Sequence, residues 1–317
     1  MSLTEKVIKG DVQAAARLIT LIEDDLSEAE REMEELYPHT GKAYIFGITG
    51  APGVGKSTLT DNLIAYFRKK NLAVGVIAID PTSALTGGAL LGDRIRMQRH
   101  AADEGVFIRS LATRGWVGGL AKAALGTAHV MDALGKDIII IETVGSGQVE
   151  IDIVKAADTT LLVMSPGAGD EIQTMKAGIL ESADVIAVNK ADMEGADRLK
   201  ADLEQMLAMK TMQTDDWLPP IIMTEAVHDK GTGDLAEALL AHREYLNACG
   251  GLPERRRERA ELELMETIEA AFKDMVRGLE SGRFLKRLVD GLQKGRNSPQ
   301  AAAREIMDRL IDKEGKR

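Results

Sequence analysis

Hydrophobic positions fall into three regimes along the chain. Residues 3 to 36 set apolar side chains at helical spacing among charged ones (Val7, Val12, Leu18, Ile19, Ile22) and stop at the breaker Tyr37-Pro38-His39-Thr40-Gly41. From Tyr44 the pattern becomes short continuous apolar runs, at residues 44–49, 73–79, 106–109, 137–141, 159–164, 184–188 and 220–223, separated by longer amphipathic stretches. A strand covered on both faces has no polar side to show, so these runs predict an α/β fold with an open, mainly parallel sheet flanked by helices. Ligands of such sheets sit beyond the carboxyl ends of the strands. After Gly250-Gly251-Leu252-Pro253 comes the charge-dense Glu254-Arg255-Arg256-Arg257-Glu258-Arg259. Its arginines alternate with acids, which predicts a solvated helix face. Met265, Ile268, Phe272, Met275 and Leu279 follow at spacings of 3, 4, 3 and 4, the seam of a helix that packs on another helix. Internal packing is the simpler expectation for that seam, a second subunit the other. The predicted organisation is an N-terminal helical segment over 1–42, a sheet domain over 43–250 and a C-terminal helical arm over 251–317.

Composition narrows the class. With 317 residues, 44% hydrophobic and 28% charged, the chain is an ordinary globular protein of one large or two ordinary domains. Fifty acidic against 40 basic side chains give a net charge of -10, which argues against nucleic acid and acidic membrane surfaces as partners. The single cysteine, Cys249, excludes an intramolecular disulfide and a cysteine metal cluster and fits a reducing compartment. No apolar run approaches the roughly 20 residues that cross a bilayer, and Met1-Ser2-Leu3-Thr4-Glu5-Lys6 begins no signal core. A soluble, cytoplasmic protein is expected.

Three motifs carry chemistry. Gly50-Ala51-Pro52-Gly53-Val54-Gly55-Lys56-Ser57-Thr58 follows the first apolar run and precedes a helical segment, the context of a Gly-x-x-x-x-Gly-Lys-Ser phosphate loop. Its glycines let backbone N–H groups turn inward around phosphate oxygens, Lys56 neutralises the β and γ phosphates, and Ser57 offers a hydroxyl to Mg²⁺. Asn189-Lys190-Ala191-Asp192 follows another strand and matches the Asn-Lys-x-Asp element of G proteins. The Asp192 carboxylate can accept from guanine N1–H and N2–H₂, donors that adenine lacks, so GTP and GDP are the expected nucleotides. Thr224-Glu225-Ala226 closes the last strand where G proteins place Ser-Ala against guanine O6, with Ala226 able to supply the backbone N–H. His228 beside it reads as an ordinary loop residue.

Between these motifs, Glu142-Thr143-Val144-Gly145 ends the all-isoleucine run 138–141. Glu142 can hold Mg²⁺ directly or through water, and the Gly145 N–H can meet a γ-phosphate. Gln148 lies three residues beyond Gly145 and is not assigned to the catalytic water. Asp80 closes a strand and Asp93 sits in a glycine-rich loop; carboxylates beside a triphosphate act through Mg²⁺, since otherwise they repel it, while for Asp93 a simple pair with Arg94 is the other reading. Lys56, Asp80, Asp93, Glu142 and Gly145 are therefore the candidate catalytic residues.

Taken together, these motifs resemble the MeaB/ArgK G proteins, the family of the methylmalonic aciduria type A protein. The resemblance spans nearly the whole chain, through Gly47-Ile48-Thr49-Gly50-Ala51-Pro52-Gly53, Asp80-Pro81-Thr82-Ser83, Gly92-Asp93-Arg94-Ile95-Arg96-Met97, Glu142 to Gln148, and Pro166-Gly167-Ala168-Gly169-Asp170-Glu171-Ile172-Gln173. It implies a P-loop GTPase, a metallochaperone that gates adenosylcobalamin loading and protection of methylmalonyl-CoA mutase or a related acyl-CoA mutase. It also implies that Ser57, Asp80, Asp93 and Glu142 surround Mg²⁺ and its waters. Asp170, Glu171, Gln173 and Lys176 would form a third switch facing the mutase, and the C-terminal helices a homodimer arm. The resemblance puts no cobalamin on this chain. Two other readings share the loop: a nickel-insertion accessory GTPase, for which five scattered histidines and one cysteine offer no delivery tract, and an ATP-dependent kinase linked to basic amino-acid transport, against which Asp192 argues.

Overall fold

The computed structural model describes residues 1–24, 27–80, 98–100, 102–112, 119–143, 156–167, 180–209, 217–279 and 283–314. They divide into two compact units, Met1–Ala260 and Glu261–Arg317. Each of the seven apolar runs becomes a strand: β1 (Tyr44–Thr49), β2 (Val74–Asp80), β3 (Val106–Ala112), β4 (Ile138–Thr143), β5 (Thr159–Met164), β6 (Val185–Asn189) and β7 (Ile221–Thr224). Among the described residues they pair as one parallel sheet in the order β3-β2-β4-β1-β5-β6-β7. β1 is central, so the loop that follows it opens at the middle of the sheet's carboxyl edge.

Helices α1 (Leu3–Ile8), α2 (Val12–Glu23), α3 (Ser27–Leu36), α4 (Lys56–Lys69), α5 (Gly119–Ala133), α6 (Ala196–Ala208) and α7 (Thr232–Cys249) cover the sheet on both faces. Four consecutive isoleucines in β4 show why the run has no polar member. Ile139 and Ile141 pack on one face with Leu18 and Ile19 of α2 and Leu125 of α5, while Ile138 and Ile140 pack on the other with Leu63 and Phe67 of α4 and Leu235 of α7. Full burial of each such side chain stabilises by about 1.5–3 kcal/mol. The N-terminal helices thus complete one face of the sheet unit. Val12, expected on their apolar stripe, is 46% exposed, because it follows directly on the cap made by Asp11, whose carboxylate accepts from the N–H groups of Gln13 and Ala14.

The arginine run departs from the sequence expectation of a solvated face. Helix α8 (Gly251–Gly278) begins against the amino edge of the sheet. There Arg255 grips Asp184 through two bonds of 2.7 and 2.8 Å, and Arg259 donates to Asp158 at 2.9 Å. Arg256 donates to the carbonyls of Gly41 and Ala43, at 2.5 and 2.9 Å. Only Arg257 follows the expectation, exposed and paired with Glu254 on its own helix. The other Asp158 oxygen accepts from the Ile45 N–H at 2.9 Å, and the residue is fully buried. Beside it Tyr44 and Thr159 hydroxyls lead to His242 Nδ1, whose other ring nitrogen faces Asp184 at 3.4 Å. Burial pushes His242 down to about 4, so it stays neutral. Asp158→Ala would leave Arg259 half-partnered in a dry site; we expect it to lower the unfolding free energy by about 3–5 kcal/mol in a urea titration.

The second unit holds the rest of α8, α9 (Arg283–Gln293) and α10 (Pro299–Glu314). Its small core is Leu279, Phe284, Leu288 and Ala302, with the guanidinium groups of Arg287 and Arg309 over the Phe284 ring at 5.0 and 5.1 Å. Of the predicted α8 seam, Leu279 is buried, whereas Met265, Ile268, Phe272 and Met275 are exposed, as is Leu264. Among the described residues, four of the five seam positions are thus exposed.

Candidate functional site

The loop after β1 closes on itself around Lys56. Gly50, Gly53 and Gly55 all take positive φ, 142°, 77° and 100°, a region that side chains with a Cβ disfavour. Gly50 and Gly55 are needed twice over: a Cβ at Gly50 would lie 2.1 Å from the Val163 carbonyl oxygen, and one at Gly55 2.2 Å from Asn189 Nδ2. Lys56 opens α4, so the loop ends on the N–H groups of a helix terminus, where anions are stabilised. Its side chain is buried and its Nζ donates across the loop to Gly50 and Ala51 carbonyls, at 2.6 and 2.8 Å. Val54 inserts into the apolar core between α4 and the sheet and anchors the loop's far side. Ser57 follows on the first turn, and its hydroxyl donates to Glu142 Oε1 at 2.5 Å. Glu142 lies in β4, the neighbour of β1, and is 3% exposed.

The base motif is tied to this loop through one side chain. Asn189 ends β6 and is buried; its Nδ2 donates to the Val54 carbonyl at 2.8 Å, while its Oδ1 accepts from the Thr224 hydroxyl at 3.1 Å and the Ala226 N–H at 3.0 Å. The Ala226 N–H, which the sequence points at guanine O6, is thus engaged by Asn189 in this structure. Lys190 adopts φ 57°, turning the chain so that Ala191 N–H donates to the Thr224 carbonyl at 3.0 Å and Asp192 stands exposed at the turn. Glu225, where G proteins place serine, supports the neighbouring turn differently. Its carboxylate accepts from Lys230 Nζ at 2.9 Å and His228 Nδ1 at 3.2 Å, and the Lys230 ammonium holds it below the usual carboxylate range. Gly231 ends this turn with φ 74°, where a Cβ would lie 2.2 Å from the Met223 carbonyl oxygen.

The structure therefore brings together Gly50 to Thr58, Glu142, Asn189, Lys190, Asp192, Thr224, Glu225 and Ala226 at one edge of the sheet. The backbone of Asp80 ends β2 at the same edge. Asp93, Gly145, Asp170, Glu171, Gln173 and Lys176 lie outside the described residues. Among the described residues no three His, Cys, Asp or Glu side chains cluster as metal ligands. Ser57 and Glu142 nonetheless bring two oxygen donors together beside the phosphate loop, a set suited to a hard cation that completes its shell with phosphate and water. Sequence reasoning missed Asn62, whose Nδ2 donates to the Ala226 carbonyl at 2.8 Å. The signal was there: Asn62 is a polar residue three positions after buried Leu59 and one before buried Leu63, on the apolar face of α4.

A parallel sheet with a Gly-rich loop running into a helix after its central strand, and an Asn-Lys-x-Asp turn bonded to that loop, defines a P-loop nucleotide hydrolase of the G-protein kind. The sequence matches the family described as Methylmalonyl Co-A mutase-associated GTPase MeaB over residues 15–281, and the chain belongs to that family. It is 49% identical over 312 residues to a protein of Pyrococcus abyssi named as a candidate GTPase, covering 98% of this chain and 96% of the relative. It is 32% identical over 274 residues to the mitochondrial methylmalonic aciduria type A homolog of Caenorhabditis briggsae, covering 81% and 66%. The crystal structure of a LAO/AO transport system kinase shares the fold, with a TM-score of 0.71 at 23% identity over 98% of this chain and 96% of that one. The chain is a GTPase, and its family implies GTP and GDP binding. No helix among the described residues is long and apolar enough to cross a membrane.

Proposed function

We propose that this protein is a GTP-driven chaperone that gates adenosylcobalamin loading and protection of an acyl-CoA mutase in the cytoplasm, with methylmalonyl-CoA mutase the leading client. The observation that carries the reading is the family match over residues 15–281, a family whose description names the mutase. Lys56 supplies the counter-charge to the β and γ phosphates, the loop N–H groups orient them, and Asp192 selects guanine. Ser57, Glu142, Asp80 and Asp93 are the residues that would hold Mg²⁺, directly or through water, and the ion would supply charge stabilisation at the transferring phosphate. The Gly145 N–H senses the γ-phosphate, and the switch carrying Asp170, Glu171, Gln173 and Lys176 passes nucleotide state to the mutase. The exposed stripe Leu264, Met265, Ile268, Phe272 and Met275 pairs two copies of the chain into a homodimer. The chain itself binds no cobalamin.

Turnover of the isolated protein is expected to be slow, on the order of 10⁻⁴–10⁻² per second as for G proteins lacking a stimulating partner. Added methylmalonyl-CoA mutase should raise it about tenfold, which asks the contact for only ~1.4 kcal/mol of transition-state stabilisation. The assay is GTP hydrolysis with and without the mutase, with ATP as control nucleotide. A GTP rate that the mutase leaves unchanged would remove it as the client and turn the search to other acyl-CoA mutases, and turnover of ATP would favour the kinase reading.

A further inference from the structure

Asn62 stands on the second turn of α4, and its side-chain amide is buried between two loops. Its Nδ2 donates to the Ala226 carbonyl at 2.8 Å, and its Oδ1 accepts from Arg99 at 3.0 Å. The amide has one workable orientation there, because a carbonyl only accepts and a guanidinium only donates; a flip would set like against like at both ends. Arg99 belongs to the short turn Gln98–His100 and is itself fixed by Asp61, the residue before Asn62, through a 2.6 Å ion pair. On the opposite side of Ala226, the N–H donates to Asn189. The residue expected to read guanine O6 is thus held by two amides, one from the base motif and one from the helix that starts at Lys56. Nothing in the Asn-Lys-x-Asp element or the phosphate loop encodes the second.

We propose that Asn62 is a positioning residue for purine selection, fixing the Ala226 turn at the height of O6, with Arg99 holding its amide in the working orientation. The inference rests on the reading that Asp192 and the Ala226 turn hold guanine. Its effect should concentrate at position 6 of the base and spare the N1 and N2 contacts of Asp192.

The experiment compares the affinity of the full chain for GDP and for its 6-thio analogue by calorimetric titration. The analogue keeps both donors for Asp192 but replaces O6 by a poor acceptor. The wild-type protein should prefer GDP. Asn62→Ala should weaken GDP about tenfold and the analogue little, so that the preference shrinks. Arg99→Ala, whose side chain is 48% exposed and whose loss leaves the core untouched, should move the ratio the same way by a smaller factor. Equal loss of both nucleotides in Asn62→Ala would mark a structural residue and overturn the inference while leaving the guanine reading in place. An unchanged ratio in Arg99→Ala would refute its orienting role. Absence of any preference in the wild-type protein would instead overturn the O6 reading itself, and the inference with it.

Discussion

Replacing Lys56 by alanine is expected to abolish GTP hydrolysis while the fold persists. Phosphoryl transfer offers the protein little covalent chemistry, so most of its work is to place charge against the transferring group. Lys56 is the cation the loop is built around: its ammonium already lies within bonding distance of the Gly50 and Ala51 carbonyls, and its stem is buried beside α4. Losing such a preorganised donor costs about 10²–10³ in rate. The structural cost is smaller. Two loop carbonyls lose a donor, worth about 1–3 kcal/mol, and the apolar layers on both sheet faces are untouched. Hydrolysis assays and a thermal melt on the same preparation separate the two effects. Normal turnover in the variant would show that this loop is not the active site.

Asp192→Asn is expected to change the base that the protein prefers. In the proposed reading the carboxylate accepts from two guanine donors, and a site built on such bonds rejects bases lacking them by about 10⁴–10⁵. An amide at this position sets its own N–H₂ against one of those donors and so weakens GTP. Xanthine carries oxygen where guanine carries the N2 amine, and the amide can donate to it, so xanthosine nucleotides should gain what guanosine nucleotides lose. Because Asp192 is exposed on a turn that Lys190 and Ala191 already fix through the backbone, the substitution should leave stability unchanged. Competition of GDP and XDP for the two proteins measures the exchange of preference; an unaltered preference for GDP would remove Asp192 from base recognition.

How much of this was legible in the sequence depended on how far the deciding interaction reaches. The seven strands could be read because a doubly covered strand is apolar at every position, as in Ile138 to Ile141, and needs no knowledge of its neighbours. The phosphate loop and Asn-Lys-x-Asp could be read because each packs its chemistry into a few consecutive residues. The destination of the arginines could not. Arg255 and Arg259 have acids beside them on their own helix, yet bond to carboxylates 71 and 101 residues away that the topology delivers to the amino edge of the sheet. Asn62 was hidden for the same reason, with its partner Ala226 164 residues distant. Glu225 is the intermediate case: its partner Lys230 is five positions on, within reach of a reading that asks what closes a turn when its usual serine is absent.

The bond from Asn189 to the Val54 carbonyl has a consequence for the life of the bound nucleotide. The base turn and the phosphate loop are distant in sequence, 135 residues apart at this contact, yet one amide latches them into a single frame. A guest entering such a frame has little disorder left to remove, which favours a long residence time. Departure of the base end then disturbs the phosphate end, because Asn189 cannot swing away without releasing Val54. A protein that hastens exchange of spent nucleotide for fresh therefore has one latch to spring rather than two.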